Sequence, residues 1–176
     1  TGKPALSEET DYEIHLAAAR GLPKKDKFSK SDPYVVCLLH KWSDGDEHIP
    51  FREMWKEEDA KKCKSKWGKS KTHKNCEAPK FDETLYLSSG FDPESPGDDE
   101  RVGVHIVVLD SDFARFGTLG GESLGELRFE LTADAGVDFI PNDEYELMDE
   151  RGEPNDAYLS LSWAHIRSKD FQLNLE

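Results

Sequence analysis

The run Val107-Val108-Leu109 stops abruptly in Asp110-Ser111-Asp112, and this junction limits what the chain can fold into more than any other stretch. An apolar, β-branched run of this kind reads as a buried strand. In an extended chain, residues two apart project to the same side. The strand end therefore aims Asp110 and Asp112 into one small volume. At a separation of ~5 Å and an effective dielectric near 20, two carboxylates repel by roughly 3 kcal/mol. Solvent, a shared proton, a basic side chain or a cation has to offset that repulsion.

Other stretches repeat the strand signal. Tyr12 to Ala17, Phe81 to Leu87 and Leu124 to Leu131 alternate apolar and polar residues, as half-buried strands do. Tyr34 to Leu39 and Arg101 to Leu109 are more continuously apolar, and Tyr145 to Met148 and Tyr158 to Trp163 complete the strong strands. Ser70 to Lys74 reads as a short strand, Thr132 to Asn142 as a connection, and Phe171 to Leu173 as a tail or a docked edge. Turn signals such as Gly21-Leu22-Pro23 separate these runs. About eight strands with little helix predict an antiparallel Greek-key β-sandwich or barrel. One domain spans residues 11–167, between a polar tail at 1–10 and a second tail at 168–176.

Residues 41–70 break the pattern. Phe51 to Lys66 has helical features, with Pro50 near its start and Glu57–Lys61 and Glu58–Lys62 at i,i+4. Its apolar positions, Phe51, Met54, Trp55 and Cys63, make a ragged stripe. Eight lysines fall between Lys56 and Lys74, in a chain whose net charge is −14. They read either as a solvated insertion or as a surface that meets anionic lipid or protein.

A chain this acidic is a poor general binder of nucleic acid or of an anionic membrane unless its charge is segregated or neutralised, and no nucleic-acid partner is expected. Aromatic residues at 10% are too many for plain disorder. No apolar run reaches the length of a membrane span, and the opening TGKPALSEET has no signal-peptide core. Three cysteines, Cys37, Cys63 and Cys76, do not make a disulfide framework, so a reducing, cytoplasmic setting is expected. Cys37 reads as a small core residue. Cys63, His73 and Cys76 lack a fourth ligand at zinc spacing.

The candidate ligands are Asp26, Asp32, Asp110, Asp112 and Glu122, all in two loops beside core strands. Carboxylates from two loops suit a hard cation such as calcium, which takes six to eight oxygens in irregular geometry. An EF-hand does not fit: its sixth position would be Arg115 and its twelfth Gly121, and both flanks read as strands. There is no G-x-S-x-G, phosphate-binding glycine loop or HExxH, and no enzyme is expected.

Four motifs in order now match a family. Leu22-Pro23, Asp26 and Ser31-Asp32-Pro33-Tyr34-Val35 resemble the first calcium loop of C2 domains. Pro79-Lys80-Phe81-Asp82-Glu83 resembles the family's Asn-Pro-x-Phe/Trp-Asn/Asp-Glu element, with Ala78 in place of Asn. Leu109-Asp110-Ser111-Asp112 resembles the third loop, and Leu124-Gly125-Glu126 the Ile/Leu-Gly-Glu that follows it. The start of the chain, directly with the strand that enters the first loop, resembles the circularly permuted type II arrangement.

The resemblance implies an eight-stranded antiparallel sandwich that binds Ca2+ at one end and docks on anionic phospholipid, phosphatidylserine or phosphoinositide. Asp26, Asp32, Asp110 and Asp112 would be ligands, with the carbonyls of Lys25 and Ser111. Glu122 stands where the family has Asp, after a longer third loop. Phe28, Phe113 and Phe116 lie on those loops, placed either to enter the headgroup boundary or to pack within the loops. Lys66, Lys69, Lys71 and Lys74 would add attraction to anionic lipid, so the protein would be peripheral on the membrane when calcium is bound. The alternatives are a calcium-independent protein-interaction module and the regulatory domain of a larger enzyme.

Overall fold

The computed structural model describes residues 11–23, 31–43, 50–55, 67–88, 100–111, 122–130 and 139–165. Eight strands carry the fold: β1 (Asp11–Arg20), β2 (Pro33–Ser43), β3 (Trp67–Lys69), β4 (Lys80–Ser88), β5 (Glu100–Asp110), β6 (Ser123–Glu130), β7 (Phe139–Met148) and β8 (Pro154–His165). Among the described residues, one short helix, α1 (Phe51–Met54), interrupts them. Every described pairing is antiparallel, in the order β3-β2-β5-β6-β7-β8-β1-β4. Neighbours such as β2 with β5 and β1 with β8 give the Greek-key crossings.

The ladder folds over on itself as two layers. Among the described residues, they are joined at β6–β7 by one register pair, Glu126 with Met148. Gly125 makes that crossing possible. Its φ is +153°, and a Cβ there would stand 2.7 Å from Leu147 Cβ. The core fills the space between layers. β1 contributes Tyr12, Ile14 and Leu16, and β8 contributes Leu159, Leu161 and Trp163. Val35, Cys37, Val104, Ile106 and Val108 face them from β2 and β5. Burial pushes the Cys37 thiol far up, which keeps it an inert packing group.

β2 and β5 are apolar on both sides. Tyr34, Val36, Val107 and Leu109 point away from the core, yet they are buried. The insertion covers them with Phe51, Met54, Trp55 and Trp67. Phe51 stacks on Trp55 at 5.4 Å between ring centroids, and Trp55 meets Trp67 edge-on at 5.0 Å. In this setting burial lifts the Tyr34 phenol to about 12.

Three expectations change. The helix ends at Met54, because Trp55 turns extended (φ −73°, ψ 120°) to bring its ring against Phe51 and Trp67. Residues 56–66 lie outside the described residues. The short strand is Trp67–Lys69, not Ser70–Lys74, since the Ser70 side chain takes over from the ladder: its hydroxyl accepts the Val35 N–H at 2.9 Å. The last part of the expected connection, from Phe139, belongs to β7. Pro141 and Asn142 fall in a register shift between Ile140 and Asp143, the kind of irregularity that admits proline to a strand. The tails at 1–10 and 168–176 lie outside the described residues, as does the Phe171–Leu173 segment.

Candidate metal-binding rim

The antiparallel pairing of β2 with β5 sets the site. Pro33 lies opposite Asp110, so the residue before β2 and the last residue of β5 meet at one end of the sandwich. The Asp32 N–H donates to Asp110 Oδ1 at 2.9 Å, and the Ser111 N–H donates to the Asp32 carbonyl at 2.9 Å. Asp110 is 1% exposed. An ionised carboxylate at that depth requires donors, and the backbone supplies one.

A third segment, 70–79, runs along the same end. His73 N–H bonds the Pro33 carbonyl, and Cys76 N–H bonds the Ser31 carbonyl, both at 2.9 Å. The Asn75 N–H donates to Asp32 Oδ1 at 2.7 Å. Asn75 holds a positive φ of 51° to do so. Each of the two aspartates thus meets a main-chain amide through Oδ1.

Glu122 joins from the far side of the third loop. Its carbonyl accepts the Asp110 N–H at 2.9 Å, which closes the loop base, and its side chain is exposed. The structure therefore brings Asp32, Asp110, Ser111 and Glu122 to one rim. Lys25, Asp26, Asp112, Phe28, Phe113, Phe116 and Lys66 lie outside the described residues. Among the described residues, no group of three His, Cys, Asp or Glu side chains stands ready to hold a metal ion. The donor chemistry still fits a hard cation. The carboxylates and main-chain carbonyls of the rim are oxygen donors, the ligand type that such an ion takes.

Lys69, Lys71 and Lys74 are exposed on β3 and on the segment that passes Asp32. The Lys71 N–H donates to the Glu83 carboxylate at 2.9 Å, which ties this basic stretch to β4. His73 packs its ring edge-on against Phe81 at 5.0 Å, and Cys76 is a half-buried thiol. Cys63, the third member of that expected cluster, lies outside the described residues.

Sequence reasoning missed Asn75 and Ser70, whose roles are backbone and hydroxyl contacts with no side-chain signature. It also missed a buried pair beneath the rim. His105 Nε2 stands 2.9 Å from Glu126 Oε1, and both side chains are 1% exposed. The Leu-Gly-Glu motif marked Glu126, but nothing marked His105 as its partner. Burial pushes the Glu126 carboxyl up. Hydrogen bonds from His105 and Phe51, the nearby imidazole and the Ser123 hydroxyl outweigh it, so the group titrates below its ordinary range.

An antiparallel sandwich with oxygen donors from separate connections gathered at one end defines a loop-rim binding module. The family model for the C2 domain matches residues 10–147, and the chain belongs to that family. Solved structures agree on the fold. A C2 domain of plant Extended Synaptotagmin 1 is 17% identical over 89% of this chain and 93% of that one, with a TM-score of 0.55. A calcium-bound pair of C2 domains from Extended-Synaptotagmin 2 is 18% identical over 94% of this chain and 51% of that one, with a TM-score of 0.57. Human GIVD cytosolic phospholipase A2, in complex with an inhibitor and terbium chloride, is 11% identical, with a TM-score of 0.55. That match covers 89% of this chain, which spans only 17% of the phospholipase. At these identities the likeness shows fold alone. No curated protein sequence matches the chain. No described helix is long and apolar enough to cross a membrane.

Proposed function

We propose that this C2 domain is a calcium-dependent, non-catalytic module that docks on anionic phospholipid. The observation that carries the reading is the meeting of Asp32 and Asp110, 78 residues apart in sequence, through one 2.9 Å hydrogen bond. Asp26, Asp32, Asp110, Asp112 and Glu122 serve as carboxylate ligands, with the carbonyls of Lys25 and Ser111. A bound Ca2+ supplies positive charge and open coordination positions for lipid phosphate and carboxylate oxygens. The chain's own part is to hold the carboxylates at one rim before the ion arrives. The calcium-bound state of Extended-Synaptotagmin 2, on the same fold, supports this ion class.

Without the ion the rim is anionic and repelled by phosphatidylserine-rich surfaces. Phe28, Phe113 and Phe116 enter the headgroup boundary once that repulsion is reversed. Lys66, Lys69, Lys71 and Lys74 add attraction to anionic lipid and favour phosphoinositide. The domain covers residues 11–167, and the protein is cytoplasmic and peripheral to the membrane. Liposome sedimentation in calcium and in EGTA tests this. Binding to phosphatidylserine vesicles that is equal in the two buffers would overturn the calcium dependence.

A further inference from the structure

One carboxylate, Glu126, accepts from three separate parts of the chain. Its Oε1 takes the Phe51 N–H at 2.8 Å and lies 2.9 Å from His105 Nε2. Its Oε2 takes the Ser123 hydroxyl at 3.1 Å. With the carboxyl held in its ionised form, Nε2 carries the shared proton. A bare charge at 1% exposure would be strongly unfavourable, and these donors compensate it.

The donors sit where they matter. Phe51 is the first residue of α1, and its ring packs edge-on against His105 at 5.8 Å. It seats the insertion on the outer face of β2 and β5. Ser123 follows Glu122, whose carbonyl holds the Asp110 N–H at the loop base. On the outside, Arg52 reaches Glu150 at 3.3 Å, across a cleft of about 890 Å3 that Glu122 and Glu126 help to line.

We propose that Glu126 is a positioning residue that seats the insertion and sets the closing limb of the rim loop through the same carboxylate. It binds no ion itself. The seating half stands on contacts alone; the half that concerns the ion rests on the reading of Asp32, Asp110 and Glu122 as ligands.

The experiment pairs two readouts on the full chain. Hydrogen exchange at the Phe51 amide, measured in EGTA, reports the seat. Calorimetric titration with calcium chloride reports the rim. Glu126→Ala is expected to expose the Phe51 amide to exchange and to weaken calcium binding roughly tenfold, the usual scale for a residue that orients ligands. Glu126→Gln keeps an acceptor at Oε1 and restores Phe51 protection. Ser123→Ala weakens calcium binding while Phe51 stays protected. Leu161→Ala, in the opposite layer, serves as the control for lost stability alone. Continued Phe51 protection in Glu126→Ala overturns the seat. A loss of calcium affinity no greater than that of Leu161→Ala overturns the positioning role. If the unaltered chain shows no calcium heat, the ion-site reading and the coupling fall together, and the Phe51 readout still decides the seat.

Discussion

The backbone N–H of Asp32 donates to the side chain of Asp110 at 2.9 Å, so the first loop and the end of β5 are locked together through a carboxylate that is 1% exposed. The bond fixes the orientation of the Asp110 carboxylate at the rim. It makes the rim a pre-arranged feature of the fold, which lowers the ordering cost of binding an ion.

Charge at this pair is the first thing to test. Asp110→Asn keeps an oxygen that accepts the Asp32 N–H, so the fold should survive. Calcium at a hundred times its dissociation constant stabilises a folded domain by about 2.7 kcal/mol. That calcium-induced rise in melting temperature should vanish in Asp110→Asn combined with Asp112→Asn, along with calcium-dependent sedimentation on vesicles. A double variant that still shows the full rise would remove these residues from the site.

The basic side can be separated from the rim. Lys69, Lys71 and Lys74 are exposed, and each lysine near an anionic surface contributes about 1 kcal/mol. Changing all three to Glu should weaken binding to phosphoinositide vesicles and flatten its dependence on salt. The heat of calcium binding in the absence of lipid should stay the same. Vesicle binding that is unchanged at low ionic strength would exclude this strip from the contact.

Phe51 tests the covering role of the insertion. Its ring is 4% exposed among Tyr34, Val36, Val107 and Leu109. Phe51→Ala should cost about 3–5 kcal/mol, as for other buried Phe side chains, read as a lower urea midpoint at an unchanged slope. A cost below about 1 kcal/mol would mean that the outer face needs no cover.

Gly125→Ala probes the crossing between layers. The added Cβ would meet Leu147 Cβ at 2.7 Å, from a backbone at φ +153° that side chains rarely adopt. Destabilisation should exceed about 1 kcal/mol, since the substitution strains the native state by more than it restricts the unfolded one. Thermal unfolding in EGTA measures it, and an unchanged melting temperature would contradict the packing.

Acid should act through Glu126. Its carboxyl titrates lower in the folded than in the unfolded chain, so its contribution is complete above the unfolded value and is lost as pH falls through the folded one. Stability should therefore decline below the ordinary carboxyl value of 4.5. In Glu126→Gln that part of the decline should be missing. Parallel acid-unfolding curves for the two proteins would show that the group contributes nothing to the pH dependence.

Much of the architecture could be read from side-chain period. β1 and β8 alternate because one face meets the core and the other does not, and a period of two is a local property of the chain. The continuous apolar runs of β2 and β5 also marked strands. Their reason for being continuous, a second buried face, was hidden, because the cover is built from Phe51, Trp55 and Trp67, which follow no single period. Ser70 and Pro141 misled for a related reason: a hydroxyl that replaces a ladder bond and a bulge that admits proline depend on neighbours far along the chain.

The chemistry divides in the same way. Taken alone, the order of residues determined that aspartates end two loops, that their donors are oxygens, and that β strands carry them, since residue type and spacing are written locally. Only the folded chain decided that Asp32 meets Asp110, that Asn75 braces Asp32, and that His105 and Phe51 converge on Glu126. Those contacts join residues 21 to 78 positions apart, and strand register rather than sequence period sets which groups come within bonding distance.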